Sequence, residues 1–271
     1  MKSKLFSAGL FCVLFCNVSF AQFGKPYYHQ RSYSSYGEKG RTWLKRSYIS
    51  ASLPFMNLEM DSHLTLNRSA AQTYNTPGPS VDTSIFLNKN CKGSYGFSGG
   101  SFFPLARMND HQMIALDVSM GGYLYNFDFG PVKYSSVDLV TDKAEFYLFD
   151  LPVAFVYKSG GEVGLNPDLP VLFSIGAGFA PTFTLGGYNS AAGALFKTRT
   201  FLMAELGYYF GLAAKLRFTY YPGTIVMIND TEGGLTLPNN YGAFTVNAFG
   251  TGSFLLTLVV LDNSMHWGDD Y

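Results

Sequence analysis

Large apolar side chains alternate with small or polar ones along much of this sequence. Residues 171–186 show the pattern most clearly. Successive side chains of a β-strand point to opposite faces, so this segment has one apolar face and one face of small residues. The apolar face carries Val171, Phe173, Ile175, Ala177, Phe179, Pro181, Phe183 and Leu185. Period-two segments of about ten residues are typical of strands in membrane β-barrels.

The same contrast recurs in residues 111–126, 145–158, 211–221 and 250–261, where large residues share one face and small or charged residues share the other. In a soluble barrel the large residues fill the interior, whereas in a membrane barrel they face lipid and the charges pair inside. Glycine and serine on the minor face fit a cramped lumen. Tyrosines near predicted strand ends fit interfacial girdles and favour the membrane arrangement. They are Tyr123, Tyr125, Tyr147, Tyr157, Tyr208, Tyr209, Tyr220 and Tyr221.

The pattern predicts an all-β fold: a membrane-spanning antiparallel up-and-down β-barrel of about eight strands. The predicted strands are residues 47–60, 93–103, 111–127, 144–158, 170–186, 199–209, 212–222 and 249–261. The connections alternate in length. Long ones at 61–92, 128–143, 187–198 and 223–248 are predicted external loops, and those at 104–110, 159–169 and 210–212 are predicted periplasmic turns. An even number of strands then places both termini in the periplasm.

The first 21 residues predict a signal peptide, with Lys2 and Lys4 before an apolar run and small residues before a cleavage site at Gln22. The run is too short for a membrane anchor, and Phe15 before Cys16 disfavours a lipoprotein. Residues 22–46 form a polar, basic periplasmic leader that is either a solvated tail or a contact for a partner or for anionic headgroups. Residues 47–261 form the predicted outer-membrane barrel, and 262–271 a short acidic tail.

Only 14% of residues are charged, below the roughly 25% of soluble domains, and the net charge is zero. Nothing at this level indicates a nucleic-acid partner.

After cleavage only Cys91 remains, which excludes an intramolecular disulfide and a cysteine-based metal site. We expect no metal and no cofactor. The histidines, which are predicted to lie outside the strands and therefore to be poor general bases, are His29, His63, His111 and His266.

A set of charges falls on the minor face and is the candidate site. These residues are Glu59, Asp117, Asp150, Lys158, Glu205, Lys215 and Arg217. Glu205 faces Lys215 and Arg217 across a tight hairpin, which predicts cross-strand pairing. Buried charges are tolerated when paired, so the set predicts either a salt-bridged plug or a proton or ion path.

Residues 149–160 read Phe-Asp-Leu-Pro-Val-Ala-Phe-Val-Tyr-Lys-Ser-Gly, and Ile-Gly-Ala-Gly follows at 175–178. With Gly207, Arg217, Tyr220 and Gly223 in the late hairpin, residues 93–261 resemble the PorT-like outer-membrane β-barrel proteins. The resemblance implies an outer-membrane barrel, and some relatives serve secretion or gliding machinery. It supplies no catalytic residue.

The sequence therefore predicts a non-enzymatic outer-membrane barrel that is a structural or accessory component of an envelope or secretion complex. Its expected partners are outer-membrane lipid and an envelope protein, bound through loops 61–92 and 223–248. The alternative is a barrel that binds or transports a small ligand or ion with its lumen charges. A third hypothesis, a lipid-modifying enzyme, lacks a suitably placed histidine.

Overall fold

The computed structural model describes residues 45–66, 81–129, 132–134, 137–139, 143–166, 168–188, 191–229, 235–236, 242–261 and 264. The predicted signal peptide, most of the leader and most of the acidic tail lie outside these residues. So do His29 and His266. No helix in the described part of the chain is long and apolar enough to cross a bilayer.

Long antiparallel strands make almost all of the structure, as the period-two pattern predicts. They are β1 (Ser47–Leu66), β2 (Val81–Asn90), β3 (Tyr95–Asn109), β4 (Gln112–Asp128), β5 (Val132–Tyr134), β6 (Val137–Leu139), β7 (Lys143–Asp150), β8 (Val153–Gly160), β9 (Val171–Tyr188), β10 (Ala191–Tyr209), β11 (Ala213–Asn229), β12 (Leu235–Thr236) and β13 (Gly242–Leu261). A single helical turn, α1 (Gly161–Gly164), lies between β8 and β9.

The main sheet closes on itself because β13 pairs with β1 over nearly its whole length, from Ile49 opposite Val260 to Leu66 opposite Gly242. Eleven strand segments form this sheet. β2 and β3 together pair with β1, β7 and β8 together lie between β4 and β9, and β12 is a short addition to β13. The ring therefore has eight positions, as predicted.

Two ends of the barrel can be distinguished. The turn end holds the first residue of β1, the last residue of β13 and the short connections at 110–111, 161–170 and 210–212. The loop end holds the opposite strand ends, at Leu66 and Val81, Asp128 and Lys143, Tyr188 and Ala191, and Asn229 and Gly242. Strands run further towards the loop end than predicted. β1, β2, β11 and β13 enter the predicted loops 61–92 and 223–248, β5 and β6 lie within 128–143, and β9 and β10 leave only two residues of the predicted loop 187–198.

The outer wall is apolar. Phe155, Leu206 and Leu216 are 61%, 65% and 57% exposed, while the charged residues of the minor face other than Glu59 point inward and are buried. A soluble barrel would show the reverse arrangement, because water would cover its charges and its large apolar side chains would fill the core. The fold is therefore a membrane-spanning, antiparallel up-and-down barrel.

Four of the predicted girdle tyrosines lie elsewhere. Tyr123, Tyr125 and Tyr221 are buried in the lumen, and Tyr209 packs against the apolar cluster at the turn end. Tyr208 and Tyr220 are exposed on the outer wall. The prediction that large residues keep to one face is wrong at the loop end, because inward positions there are also large. We call this set the loop-end core: Met56, Leu58, Met60, Tyr125, Phe127, Phe146, Leu148, Ile225, Met227, Val246 and Ala248.

Candidate functional site

The charged side chains of the lumen form one network near the turn end and one separate pair near mid-barrel. The charged network consists of Tyr48, Asp117, Lys158, Glu162, Ser174, Glu205, Lys215 and Arg217, all buried. Five of the seven minor-face charges predicted from the sequence belong to it. Of the other two, Asp150 belongs to the mid-barrel pair that it forms with Arg199, and Glu59 lies outside the lumen.

Glu205 is the centre of the charged network. Lys215 Nζ donates to its Oε2 at 2.7 Å and Arg217 Nε donates to its Oε1 at 2.6 Å. Lys158 Nζ lies 3.5 Å from Oε2. Glu205 faces Arg217 directly in the β10–β11 ladder, which is the cross-strand arrangement that the hairpin predicts. Gly207 opposes Lys215, and a Cβ at Gly207 would collide with the Lys215 side chain, so glycine is needed there.

Glu162, which the sequence prediction missed, comes from α1 and not from a strand. Its Oε2 accepts from Lys215 Nζ at 3.0 Å, and its Oε1 accepts from Ser174 Oγ at 2.9 Å and Lys158 Nζ at 3.3 Å. Burial alone would raise the pKa of this carboxyl, but the ammonium groups of Lys158 and Lys215 outweigh burial and hold its pKa below the ordinary value. The Glu162 carboxylate therefore stays ionised inside the barrel.

The chain around α1 is bent so that Glu162 enters the lumen. Gly160 has φ 108°, and a Cβ there would collide with the carbonyl of Val171. Leu165 ends the turn in the left-handed region, and Asn166 N donates to Gly161 O at 2.9 Å. Arg107 Nη2 donates to Val163 O at 2.7 Å and ties α1 to β3. These contacts make α1 a cap on the turn end.

Arg217 connects Glu205 to the other side of the lumen. Its Nη2 donates to Asp117 Oδ2 at 3.0 Å and its Nη1 donates to Tyr48 Oη at 3.1 Å. Tyr48 Oη in turn donates to Asp117 Oδ1 at 2.6 Å. In the same network, Lys158 Nζ lies 4.3 Å from the centre of the Phe102 ring. Every cation of the network thus has a carboxylate within ion-pair distance.

The mid-barrel pair lies between the network and the loop-end core. Arg199 Nη2 donates to Asp150 Oδ2 at 2.7 Å and Arg199 Nε donates to Thr182 Oγ1 at 3.0 Å. The guanidinium also lies 4.0 Å from the centre of the Tyr221 ring. Arg199 was missed from the sequence, although it shares the parity of Glu205 on the same strand.

The structure places Glu59 and His63 differently from the sequence prediction. Glu59 is flanked by the buried Leu58 and Met60, so its side chain points to the outer face and not into the lumen as predicted. His63 lies within β1 opposite Ser84 and not in a loop. His111 lies in the β3–β4 turn, as predicted. Among the described residues no three His, Cys, Asp or Glu side chains cluster closely enough to hold a metal ion.

The charged network and the mid-barrel pair together sum to zero formal charge, with four cations and four anions. The cations are Lys158, Arg199, Lys215 and Arg217, and the anions are Asp117, Asp150, Glu162 and Glu205. Buried charges persist when they are paired and hydrogen-bonded, and these eight form internal ion pairs. Between the network and the pair lies a cavity of about 20 Å³. That volume holds about one water molecule.

The fold and this lumen define a class of protein: an eight-stranded membrane β-barrel whose interior is filled by its own side chains. Barrels of about eight strands have interiors just wide enough for side-chain packing. Charged side chains and a smaller apolar cluster that includes Phe102, Met113 and Leu172 fill the turn-end half. Apolar and aromatic side chains fill the loop-end half.

Several solved outer-membrane barrels are similar to this chain. The N-terminal β-barrel domain of Pseudomonas aeruginosa OprF is 16% identical, with 74% of this chain and 96% of that chain covered and a TM-score of 0.30. Neisserial surface protein A is 12% identical, with coverages of 78% and 97% and a TM-score of 0.31. Ail of Yersinia pestis is 9% identical, with coverages of 79% and 97% and a TM-score of 0.28. No family model and no curated protein sequence matches the chain.

Proposed function

We propose that this protein is a non-enzymatic outer-membrane barrel without an open pore, exported by its signal peptide and acting as a structural or accessory component of an envelope complex. The observation that carries the proposal is the filled lumen. The charged network occupies the turn-end half of the interior, and the loop-end core occupies the other half.

Closure at the turn end comes from α1 and Glu162. The Glu162 carboxylate bonds to lysines on two wall strands, Lys158 on β8 and Lys215 on β11. A solute entering from this end would have to displace a buried carboxylate and leave Lys158 and Lys215 to share the Glu205 carboxylate, which also pairs with Arg217. Leaving a buried charge unpaired costs about 3–5 kcal/mol.

Closure at the loop end is apolar. Leu58, Met60, Phe146 and Met227 are all 0% exposed, so a solute would have to part close-packed side chains. An ion crossing this region would also lose its hydration without gaining a polar partner. These features argue against the alternative, a transport barrel, whose lumen charges would need to be available to a ligand.

A filled barrel must act through its ends and its outer face. We place both termini in the periplasm and the loop end outside the cell, because the short connections share the end with the termini. β1, β2, β11 and β13 extend the wall at the loop end, where Asn88 and Asn229 are exposed. This extension is the proposed contact surface for an envelope protein. The resemblance to PorT-like barrels makes a secretion or gliding assembly the proposed setting.

Site-specific photo-crosslinking in intact cells tests the proposal. A crosslinker at Asn88 or Asn229 should capture the same envelope protein from both positions, in an amount comparable to the barrel itself. The matched control is a crosslinker at Leu206, which is 65% exposed on the outer wall and should capture lipid alone. If neither loop-end position captures a protein, while the purified barrel binds or conducts a small ion, the transport alternative is correct.

A further inference from the structure

Two buried polar atoms of the mid-barrel pair have no hydrogen-bond partner among the described residues: Asp150 Oδ1 and Arg199 Nη1. Asp150 is 1% exposed and Arg199 is 7% exposed, so bulk water does not reach them. A buried polar atom left unpaired costs about 1–3 kcal/mol, and most such atoms in proteins are paired with protein or ordered water.

The other atoms of both side chains are fixed in place. Arg199 Nε is held by Thr182 Oγ1, and Arg199 Nη2 is held by Asp150 Oδ2. The Tyr221 ring stacks on the guanidinium, and Tyr221 Oη lies 3.4 Å from Asp150 Oδ2. Because three groups hold the pair, neither orphan atom can turn to a new partner without breaking an existing bond.

The chemistry of the two atoms selects the ligand. Oδ1 of a carboxylate only accepts a hydrogen bond, whereas Nη1 of a guanidinium only donates one. An anion would suit Nη1 but would be repelled by the Asp150 carboxylate, and a cation would be repelled by the Arg199 guanidinium. A water molecule both donates and accepts, adds no charge, and can serve both atoms.

The cavity near the mid-barrel pair is also lined by polar groups. Tyr221 also lines the cavity of about 20 Å³, together with Asp117, Arg217, Tyr123 and Thr257. The cavity therefore borders the charged network directly, through Asp117 and Arg217, and approaches the mid-barrel pair through Tyr221, which contacts both Arg199 and Asp150. A polar cavity holds a water when it offers roughly 10–15 Å³ and two to four polar partners, and this one meets both conditions.

We propose that an ordered water molecule bridges Asp150 Oδ1 and Arg199 Nη1, and that a second water in the adjoining cavity links this site to Asp117 and Arg217. The two waters make the polar groups of the lumen continuous from the turn end to mid-barrel. The chain of polar groups stops at the loop-end core, in which the Tyr125 hydroxyl is the only polar side-chain group among the residues named.

A high-resolution crystal structure of the full barrel tests the bridging site directly. Solvent density within hydrogen-bond distance of both atoms is the expected result. A direct bond from Arg199 Nη1 to Asp150 Oδ1, or separate protein partners for the two atoms, would overturn the proposal.

X-ray hydroxyl-radical footprinting of the native barrel tests the second site in solution, because radicals formed on bound water oxidise the side chains beside it. Met203 lines the cavity, whereas Met60 and Met227 lie in the loop-end core, and all three are buried. Met203 should oxidise several-fold faster than the other two. Equal rates for the three methionines would contradict a hydrated cavity.

Discussion

The two halves of the lumen are filled by different kinds of interaction. At the turn end, the eight side chains of the charged network form ion pairs and hydrogen bonds with Glu205 at the centre, and small residues such as Gly207 leave room for them. At the loop end, Phe146, Met60 and Met227 fill the interior by contact alone. The first half depends on the identity of each polar partner, and the second depends on volume. Substitutions should therefore affect the two halves by different rules.

The largest expected effect is that of Glu205→Ala. The change removes the shared carboxylate of Lys158, Lys215 and Arg217. The three buried cations are then left with only two carboxylates, those of Glu162 and Asp117. We expect a loss of about 4 kcal/mol in the free energy of unfolding. Urea titration in lipid vesicles, read by the gel mobility of unheated protein, measures it. Glu59→Ala, on the outer face, is the control and should change stability by less than about 0.5 kcal/mol.

Phe146→Ala tests the loop-end half. Phe146 is 0% exposed and packs against Phe127, with ring centres 6.0 Å apart. We expect a loss of about 3 kcal/mol from lost contacts and the cavity left behind. In contrast to the turn end, Phe146→Leu should recover most of this loss, because volume matters more than chemical identity there. Phe149→Ala on the outer wall is the matched control, and an equal loss in both variants would contradict the packing explanation.

Glu162→Gln separates charge from shape at the turn end. The amide keeps the size of the side chain but removes the charge that balances Lys158 and Lys215. We expect a loss of about 2 kcal/mol at neutral pH. The pKa of Glu162 is lowered in the folded protein, so its contribution is complete above the ordinary value of 4.5 and decreases as the pH falls below it. The difference between the wild type and the variant should therefore shrink in acid, and a difference that is constant between pH 7 and pH 3 would exclude a charge effect.

Ser174→Ala should have the smallest effect. The hydroxyl donates to Glu162 at 2.9 Å, but two lysines also hold that carboxylate. We expect a loss of about 1 kcal/mol, the net value of one hydrogen bond. Combining it with Glu162→Gln in a double-mutant cycle measures the coupling. Strictly additive losses would mean that the serine stabilises the barrel independently of Glu162.

The sequence predicts the ring and part of the network because strand parity is local. Once β10 and β11 are recognised as a hairpin, Glu205, Lys215 and Arg217 must share a face. Arg199 could have been found by the same argument. Glu162 could not, because its entry into the lumen depends on the backbone conformation at Gly160 and on contacts with distant strands.

The loop-end half was harder to predict for a physical reason. Phe146 and Leu148 face inward, but large apolar residues also face lipid on the same strand, as at Phe149. Alternate positions on these strands therefore do not differ in size or polarity, and the residue types alone do not distinguish the inner face from the outer face. The strands also continue past the apolar outer wall to positions such as Glu59 and Asp61, where the alternation fades although the ladder continues.

Ion conductance of the purified, folded barrel in planar lipid bilayers tests most directly whether side chains fill the lumen. We predict no stable conductance steps from the native protein, because both halves of the interior are occupied by side chains. The Glu59→Ala variant should likewise show no stable conductance steps. Regular, voltage-independent steps from every inserted native barrel would contradict the account and would show that the lumen contains a continuous path across the membrane.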